Sequence, residues 1–561
     1  MGTQQVVEAP PHVHLRRGKN GTRLIVKGEP FLMLAGELHN SSLSSARYMD
    51  NVWPEMKQHG MNTLLGSVSW EQIEPAEGLF DFSELDKIVL GAREHGMHLV
   101  ILWFGTYKNA LSTYAPPWVK KNTRRFPRAQ SLEAGGVRKL LDVVTPLSEE
   151  CAEADARAFA ELLKHLKEFD AEHSTVLMFQ VENEPGILGD SRDRSPLAEA
   201  AFKEPVPTAL LRHLSRNQHP QFTKRFPVVP ADGDHSWEAA FGGGAAADEV
   251  FMAYHFASYI EKVAAAGKAV YPIPRYANAW LNLDDEKALD IANAPFVISP
   301  AVVAGGSGPG KYPSGGPCAH VLDIWRFAAP SLDFIAPDLY FHDYGVVCDD
   351  FTEQGNPLFI PEQRRDEVGA RRVWLAYGTY DAMGTSPFGV DTGADIIGRE
   401  YTLLARVKDY ILNTAPVDRL GFFFDEVRDL PRAEKWTRLF EDIEVIVRRA
   451  FVFGKPGPGG GMVIRRGRNK FLLIGYGFQV AFRNVKKRAA FTGILSAKEM
   501  EADYDGNLTV LRLLNGDETR GGTAVVMPNK EPDYGDIPIA VCVPARTGIA
   551  EVEIYTLEEN L

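Results

Sequence analysis

Two places in the chain deliver carboxylates where an apolar run breaks off. TVLMFQVENEPG (175–186) is apolar as far as Val181 and then becomes Glu182, Asn183, Glu184, Pro185 and Gly186; NPLFIPEQRR (356–365) runs apolar into Glu362. Strict alternation along a strand puts Glu182 and Glu184 on one face, so the pattern leaves open which of them acts. Pro185 is expected to hold Glu184 extended and to end the ladder there. Each end also has a plainer explanation. The two glutamates would merely solvate a strand exit, and Glu362 would sit in a helix N-cap region or pair with Arg364 and Arg365. Together the two ends fit a chemistry that neither implies alone. A retaining glycosidase needs a nucleophilic carboxylate and a protonated carboxyl acid/base about 5–5.5 Å apart.

Such an opposition needs a scaffold, and the rhythm of the chain supplies a candidate. The apolar runs are Phe31–Gly36, Asn62–Ser67, His98–Trp103, Thr175–Val181, Arg275–Trp280, Phe334–Tyr340, Pro357–Ile360 and the weaker Ala382–Phe388. Between them lie helix-patterned stretches such as Asp155–Glu172, with Phe159, Leu162, Leu163 and Leu166 on one face, followed later by Asp248–Ala266 and Arg399–Asn413. Eight strands alternating with helices predict an α/β fold, a (β/α)8 TIM barrel with insertions, since the bare barrel takes roughly 250 residues. A doubly wound sheet has the same rhythm. In a barrel, strands four and seven aim their C-terminal tips across one pocket. The stretch 187–247 and the Gly-rich 301–317 are expected to be loops over that face. From residue 416 onward short β-rich runs separated by turns predict an all-β, sandwich-like domain, with GKPGPGGG (454–461) as a loop inside it. The expected domains are therefore a barrel over 1–415 and a β-rich domain over 416–561.

Composition narrows the partners. The chain has 561 residues and a net charge of −13, which speaks against nucleic acid and anionic membranes as partners. No run reaches the ~18 apolar residues of a membrane span. The opening MGTQQVVEAP lacks an apolar signal core. The expected location is periplasmic or secreted where an export signal has been removed, and cytoplasmic otherwise. Four dispersed cysteines suggest neither disulfides nor zinc. The pair His12 and His14, and the group His165, Glu168 and His173, lack metal-ligand spacing, so neither metal nor cofactor is expected. GGSGPGK (305–311) imitates a phosphate loop, but Tyr312 offers no short hydroxyl and Pro309 and Pro313 oppose the helix that must follow. The abundance of aromatic residues suits a small neutral ligand.

The residues around these strand ends carry a family resemblance. The chain resembles the (β/α)8 retaining glycosidases and, more narrowly, glycoside hydrolase family 35, the β-galactosidases. NTLLGSVSWEQIEPAEGLFDF (62–82) is similar to that family's second-strand stretch, FQVENEPG to its fourth strand, and NPLFIPE keeps a proline five residues before the nucleophile. FLLIGYGFQVAF, in the C-terminal half, is similar to the β-domain of a bacterial branch. The resemblance implies Glu184 as acid/base, Glu362 as nucleophile and Asn183 as a hydrogen-bond partner of the sugar 2-hydroxyl. It favours Glu184 over Glu182. Two departures concern the sugar: Ser67 stands where the family usually has tyrosine, and the third strand ends in Tyr107, Lys108 and Asn109 instead of a glutamate that grips galactose.

Further candidates surround this pair. Tyr340 could donate its phenol to Glu362. Glu37, His39 and Asn40 would form the pocket floor. Lys108 and Asn109 would contact the sugar, and Trp70, Trp103, Trp280 and Trp325 are candidate stacking platforms. The implied activity is an exo-acting retaining β-galactosidase on a carbohydrate substrate, such as side chains of plant polysaccharide. β-Arabinopyranosidase, β-fucosidase, endo-β-glycanase and a non-catalytic carbohydrate-binding protein are the alternatives. A homo-oligomer is compatible with everything above.

Overall fold

The computed structural model describes residues 11–18, 21–216, 218–226, 228–283, 305–425, 435–450, 457–503, 505–530, 542 and 546–559. The opening MGTQQVVEAP lies outside them, as do the expected strand IAVCVP (539–544), apart from Cys542, and the first residues of the expected loops at 301 and 454.

Eight strands close into a barrel: β1 (Met33–Glu37), β2 (Thr63–Ser69), β3 (His98–Lys108), β4 (Val176–Asn183), β5 (Arg275–Trp280), β6 (Phe334–Leu339), β7 (Ile360–Gln363) and β8 (Gly384–Pro387). Neighbours in sequence are neighbours in the sheet, and the pairs from β1 to β4 and from β4 to β7 run parallel. Closure is made at the tips, where Glu37 bridges Phe388 and Gly389 N–H donates to the Glu37 carbonyl at 2.8 Å. The TIM barrel is thereby chosen over the doubly wound sheet, because an open sheet would leave β1 and β8 as edges. The strands are buried along almost their whole length, as a packed barrel interior requires.

Each strand is followed by a helix: α1 (Ala46–Gln58), α2 (Ser83–Glu94), α3 (Glu149–Asp170), α4 (Ala245–Val270), α5 (Leu322–Ala328), α6 (Tyr344–Thr352), α7 (Glu367–Gly378) and α8 (Asp395–Leu412). Their starts follow from the sequence. Ser45, Ser148, Asp343 and Asp366 accept from the backbone N–H three residues on, satisfying donors that the first helical turn leaves free.

Three expectations need correction. The stretch 187–247 carries short helices at Pro196–Lys203, Thr208–Leu214, Pro220–Arg225 and Trp237–Phe241 between its loops. They run five to eight residues, too short to show a periodic stripe, yet they bury Leu210, Leu211, Phe222 and Trp237. Strand β7 begins at Ile360, not Pro357, because the Asn356 side chain takes over the ladder: it accepts from Ile335 N–H at 3.1 Å and donates to the Ile335 carbonyl at 2.9 Å. Gly459–Gly461, expected within a loop, open a strand whose neighbours come too close for side chains. A Cβ on Gly461 would lie 2.3 Å from the Ile474 carbonyl oxygen.

The chain forms two compact units. One holds residues 1–17, 23–363 and 386–392; the other holds 18–22, 364–385 and 393–561. The division expected at 415/416 falls between α8 and the strand that opens at Arg419, whereas compaction groups α7 and α8 with the C-terminal strands. In the second unit the strands β9 (Arg419–Phe424), β10 (Lys435–Phe440), β11 (Ile443–Arg449), β12 (Gly459–Gly467), β13 (Lys470–Tyr476), β14 (Phe478–Asn484), β15 (Ala489–Ala502), β16 (Leu508–Leu514), β17 (Ala524–Met527) and β18 (Ile549–Glu558) make two antiparallel sheets. Their orders are β9-β12-β13-β18-β15-β16 and β10-β11-β14-β17. Phe422, Phe471, Val445, Val480 and Val552 share one apolar cluster drawn from both sheets, which is a sandwich.

Candidate active site

The tip of β4 departs from a regular strand. Glu182 has φ +62° and Glu184 φ +45°, both left-handed and costly for residues with a Cβ. The expectation that Pro185 holds Glu184 extended is therefore corrected. The conformation is held by neighbours: Glu184 N–H donates to Asn278 Oδ1 at 2.9 Å, and the Glu184 carbonyl accepts from Ala110 N–H at 3.0 Å. Asn109 and Ala110 at the end of β3 are left-handed as well, and Asn109 N–H donates to the Asn183 carbonyl at 3.2 Å. Two strained strand ends thus hold each other in place.

That geometry separates the two glutamates that alternation could not. Glu182 turns back into the protein, where its carboxylate accepts from Tyr107 N–H at 2.6 Å and Thr106 N–H at 3.2 Å. Glu184 instead joins Glu362 and Asp338, and each of the three can offer an oxygen within 4.8 Å of the others. Glu362 stands on β7 beside Asp338 of β6, its partner in the parallel register. All three are buried. Burial first, and then the nearby Glu362 charge, push Glu184 up to about 7, while Lys108 and a hydrogen bond with Asp338 oppose the rise.

Glu362 is supplied with donors. Tyr340 donates to its Oε2 at 2.8 Å, and Asn183 Nδ2 reaches its Oε1 at 3.4 Å. Lys108 Nζ donates to Asn183 Oδ1 at 3.0 Å and lies 4.8 Å over the Phe104 ring. Glu37, closing β1, is 1 % exposed and neither carboxylate oxygen meets a donor among the described residues. Burial, then Glu362, raise its pKa well above the ordinary value, with Lys108 opposing and Glu184 adding. Glu37, Lys108, Asn183, Glu184, Tyr340 and Glu362, all expected from sequence, therefore meet at one barrel mouth.

Other candidates lie elsewhere. Trp70 and Trp103 have no exposure and are corrected from stacking platforms to core residues. Trp70 donates to Glu74 at 2.7 Å and Trp103 to Asp155 at 2.8 Å. Trp325 is buried too, on the Gly315 carbonyl. Trp280, the last residue of β5, is the partly exposed ring of the four, and its indole N–H has no acceptor among the described residues. His39 is held by Asp391, Nδ1 to Oδ1 at 2.7 Å, on a carboxylate that also takes Ser42 and Tyr48 hydroxyls. The Asn40 carbonyl accepts from Ser67, the residue standing in the tyrosine position, while the side-chain oxygens of Asn40 and Asn109 meet no donor.

Asp338, Asn278 and Tyr276 were not foreseen. Asn278 bridges the group, accepting from Glu184 N–H and donating to Asp338 Oδ2 at 2.7 Å. A polar residue interrupts each apolar run, in RYANAW and FIAPDLY, and that interruption was the available signal. The spacing of Glu184, Asp338 and Glu362 is also one a cation would use. The donors already set on Glu362 and Asp338, and the burial that favours protonation, fit a proton-sharing group instead.

Comparison with known proteins points the same way over part of the chain. Residues 44–217, which include β2 to β4 and Glu184, match the family model of the glycoside hydrolase 42 β-galactosidases. Residues 397–526 match a domain of unknown function (DUF5597). The matching model is that of family 42, and what it shares with the resemblance read from the sequence is the broader likeness to glycosidases. A β-galactosidase LacZ of Heyndrickxia coagulans is 31% identical over 147 residues, 24% of this chain and 20% of that one. A β-galactosidase of Xanthomonas manihotis is 29% identical over 181 residues, 31% of this chain and 27% of that one. The chain spans between about a fifth and a quarter of the length of these relatives. Among solved structures, the GH42 β-galactosidase Gan42B of G. stearothermophilus is similar at 15% identity and a TM-score of 0.44, over 66% of this chain and 57% of that one.

Proposed function

We propose that this protein is a retaining β-glycosidase that removes terminal β-D-galactosyl groups by double displacement. The observation that carries the reading is the opposition of Glu184 and Glu362. One oxygen of each lies within 4.8 Å of the other, an approach that suits the ~5–5.5 Å carboxyl separation of retaining enzymes better than the ~6.5–9.5 Å of inverting ones. Glu362 attacks the anomeric carbon, its charge held by the Tyr340 hydroxyl and Asn183. Glu184 gives its proton to the departing oxygen as the bond breaks. Water then attacks the glycosyl-enzyme, Glu184 takes that water's proton, and Glu362 is released. An acid near pKa 7 suits both halves of this cycle at neutral pH.

Galactose as the sugar, and plant polysaccharide side chains as its natural source, belong to the same proposal. The matched β-galactosidase model supports the first, and the family-35-like second-strand stretch adds to it. We take residues 1–415 as the catalytic part and 416–561 as an accessory β-domain. In the test, Glu362→Gly should abolish hydrolysis of an aryl β-galactoside, and azide should restore turnover with an α-galactosyl azide product. Undiminished activity in that variant overturns the assignment. A panel of aryl glycosides decides the sugar, faster cleavage of an arabinopyranoside or fucoside displacing galactose.

A further inference from the structure

Asp338 has an environment that an ordinary carboxylate does not tolerate. It is buried at the end of β6, and its Oδ2 accepts from Asn278 Nδ2 at 2.7 Å. Its Oδ1 is sealed from solvent and meets no N–H or hydroxyl donor among the described residues. What faces it are acids and phenols: Glu184 from β4, Glu362 from β7, Glu37 from β1, Tyr276 from β5 and Tyr340 just beyond β6. Lys108, from β3, acts on Glu37 and Glu184. A buried acceptor without a donor is costly, and an anion among anions more so. Both costs vanish when Oδ1 carries a hydrogen itself and turns it toward the Glu184 carboxyl, whose oxygen lies in one cluster with those of Asp338 and Glu362, all within 4.8 Å of one another.

We propose that Asp338 is a positioning residue for Glu184: it remains a neutral carboxylic acid throughout the reaction and donates a hydrogen bond to the Glu184 carboxyl. The inference rests on Glu184 being the acid/base. Asp338 passes no proton on. The proton that moves is the one on Glu184, which goes to the leaving oxygen in the first half of the cycle and is replaced from water in the second. Asp338 makes that departure easier, because a hydrogen bond to a carboxylate stabilises the ionised form. Asn278 sets the geometry, since one amide holds the Glu184 backbone with its oxygen and the Asp338 oxygen with its nitrogen. Burial and the Glu362 charge raise Glu184, and Lys108 first and the Asp338 hydrogen bond second hold that rise to about 7.

Two substitutions separate this from a packing role. Asp338→Asn reproduces the neutral acid, with an oxygen for Asn278 and an N–H for Glu184. The alkaline limb of kcat/KM for an aryl β-galactoside should then stay within a few tenths of a pH unit of the parent. Asp338→Leu keeps the bulk and removes the donor, and the limb should move up by about one pH unit. A limb that moves down in Asp338→Asn means that Asp338 is ionised in the parent, and overturns the proposal. A limb unmoved in Asp338→Leu overturns it as well. Should the leucine variant fail to fold, the asparagine result decides alone.

Infrared difference spectra of the full chain give a readout without turnover. A protonated-carboxyl band above pH 7 that is present in the parent and missing from Asp338→Asn, over and above any band of Glu37 and Glu182 that both share, supports the proposal, and a parent-minus-variant spectrum without such a band overturns it. If the parent hydrolyses no glycoside, the proposed activity fails while this spectroscopic test still stands.

Discussion

Two groups of buried acids lie a few residues apart at the same end of the barrel, and they are built on opposite plans. In the first, Glu182 and Asp155 face each other as well, but both sit among donors. Thr106 N–H and Tyr107 N–H serve Glu182, while the Trp103 indole, the Thr106 amide and hydroxyl and the Tyr259 hydroxyl serve Asp155. In the second, Glu184, Asp338 and Glu362 bring oxygens within 4.8 Å of one another, and Glu37, which feels Glu362 and Glu184, has oxygens that meet no donor among the described residues. Burial raises the pKa of Glu182 as it does those of Glu37, Glu184 and Asp338, so burial does not tell the groups apart. The partners do. A carboxyl group tied down by backbone N–H groups fixes a shape, whereas one left facing other acids keeps its proton poised for transfer.

The contrast breaks most visibly in catalysis. Glu184→Gln keeps the shape of the site and removes the transferable proton. It should lower kcat/KM for an aryl galactoside with a poor leaving group by about 10²–10⁴-fold, the usual worth of a general acid. Its thermal stability at pH 8 should rise in the same variant. The folded protein holds this proton to about pH 7, against an ordinary carboxyl value of 4.5. The unfolded chain therefore loses the proton first. The stability linked to Glu184 is complete below about pH 4.5 and is lost as pH rises through about 7. The loss is on the order of 3 kcal/mol. A variant less stable than its parent at pH 8 would place Glu184 with the structural acids.

The opposite outcome is expected for the donor-rich group. Glu182→Ala strands two backbone N–H groups and leaves Asp155 without its neighbour, at a cost of about 2–4 kcal/mol. Gly105→Ala strikes the same place from the other side. A Cβ there would lie 2.4 Å from Trp103 Nε1, 2.6 Å from Glu182 Oε1 and 2.7 Å from Asp155 Oδ1, with about 1–3 kcal/mol of destabilisation expected. Denaturant melts should show both losses with little change in the pH optimum. A shifted alkaline limb in either variant would join the two groups into one titrating system.

How much of this could be read in advance follows from the same physics. The barrel was legible because eight apolar runs separated by helical stretches have few other solutions, and Glu184 and Glu362 because a charge at the tip of an apolar strand stands out. Glu182 and Glu184 were not separable by pattern, since alternation assumes a regular pleat and two left-handed residues break it. Asp338 was hidden for a related reason. A single acid inside FIAPDLY looks like a polar interruption until β7 is seen to place Glu362 beside it. The helices of 187–247 were too short to register as periodic, and Gly459–Gly461 carried a loop composition into a strand.

The smallest effects distinguish the tryptophans, for which sequence offered four equal candidates. Trp70 is sealed in the core, with its indole on Glu74 and its ring 5.6 Å from Trp118. Trp70→Phe should cost about 1 kcal/mol of stability through the lost hydrogen bond and leave KM unchanged. Trp280 ends β5, the strand that carries Asn278, and keeps part of its ring open with an unpaired N–H. A sugar face packs on such a ring as any apolar surface does, so Trp280→Ala should raise KM for an aryl galactoside a few-fold with kcat nearly intact. A fall in kcat instead would mean that Trp280 supports Asn278 and the acid group behind it, and would move it from the pocket wall to the scaffold.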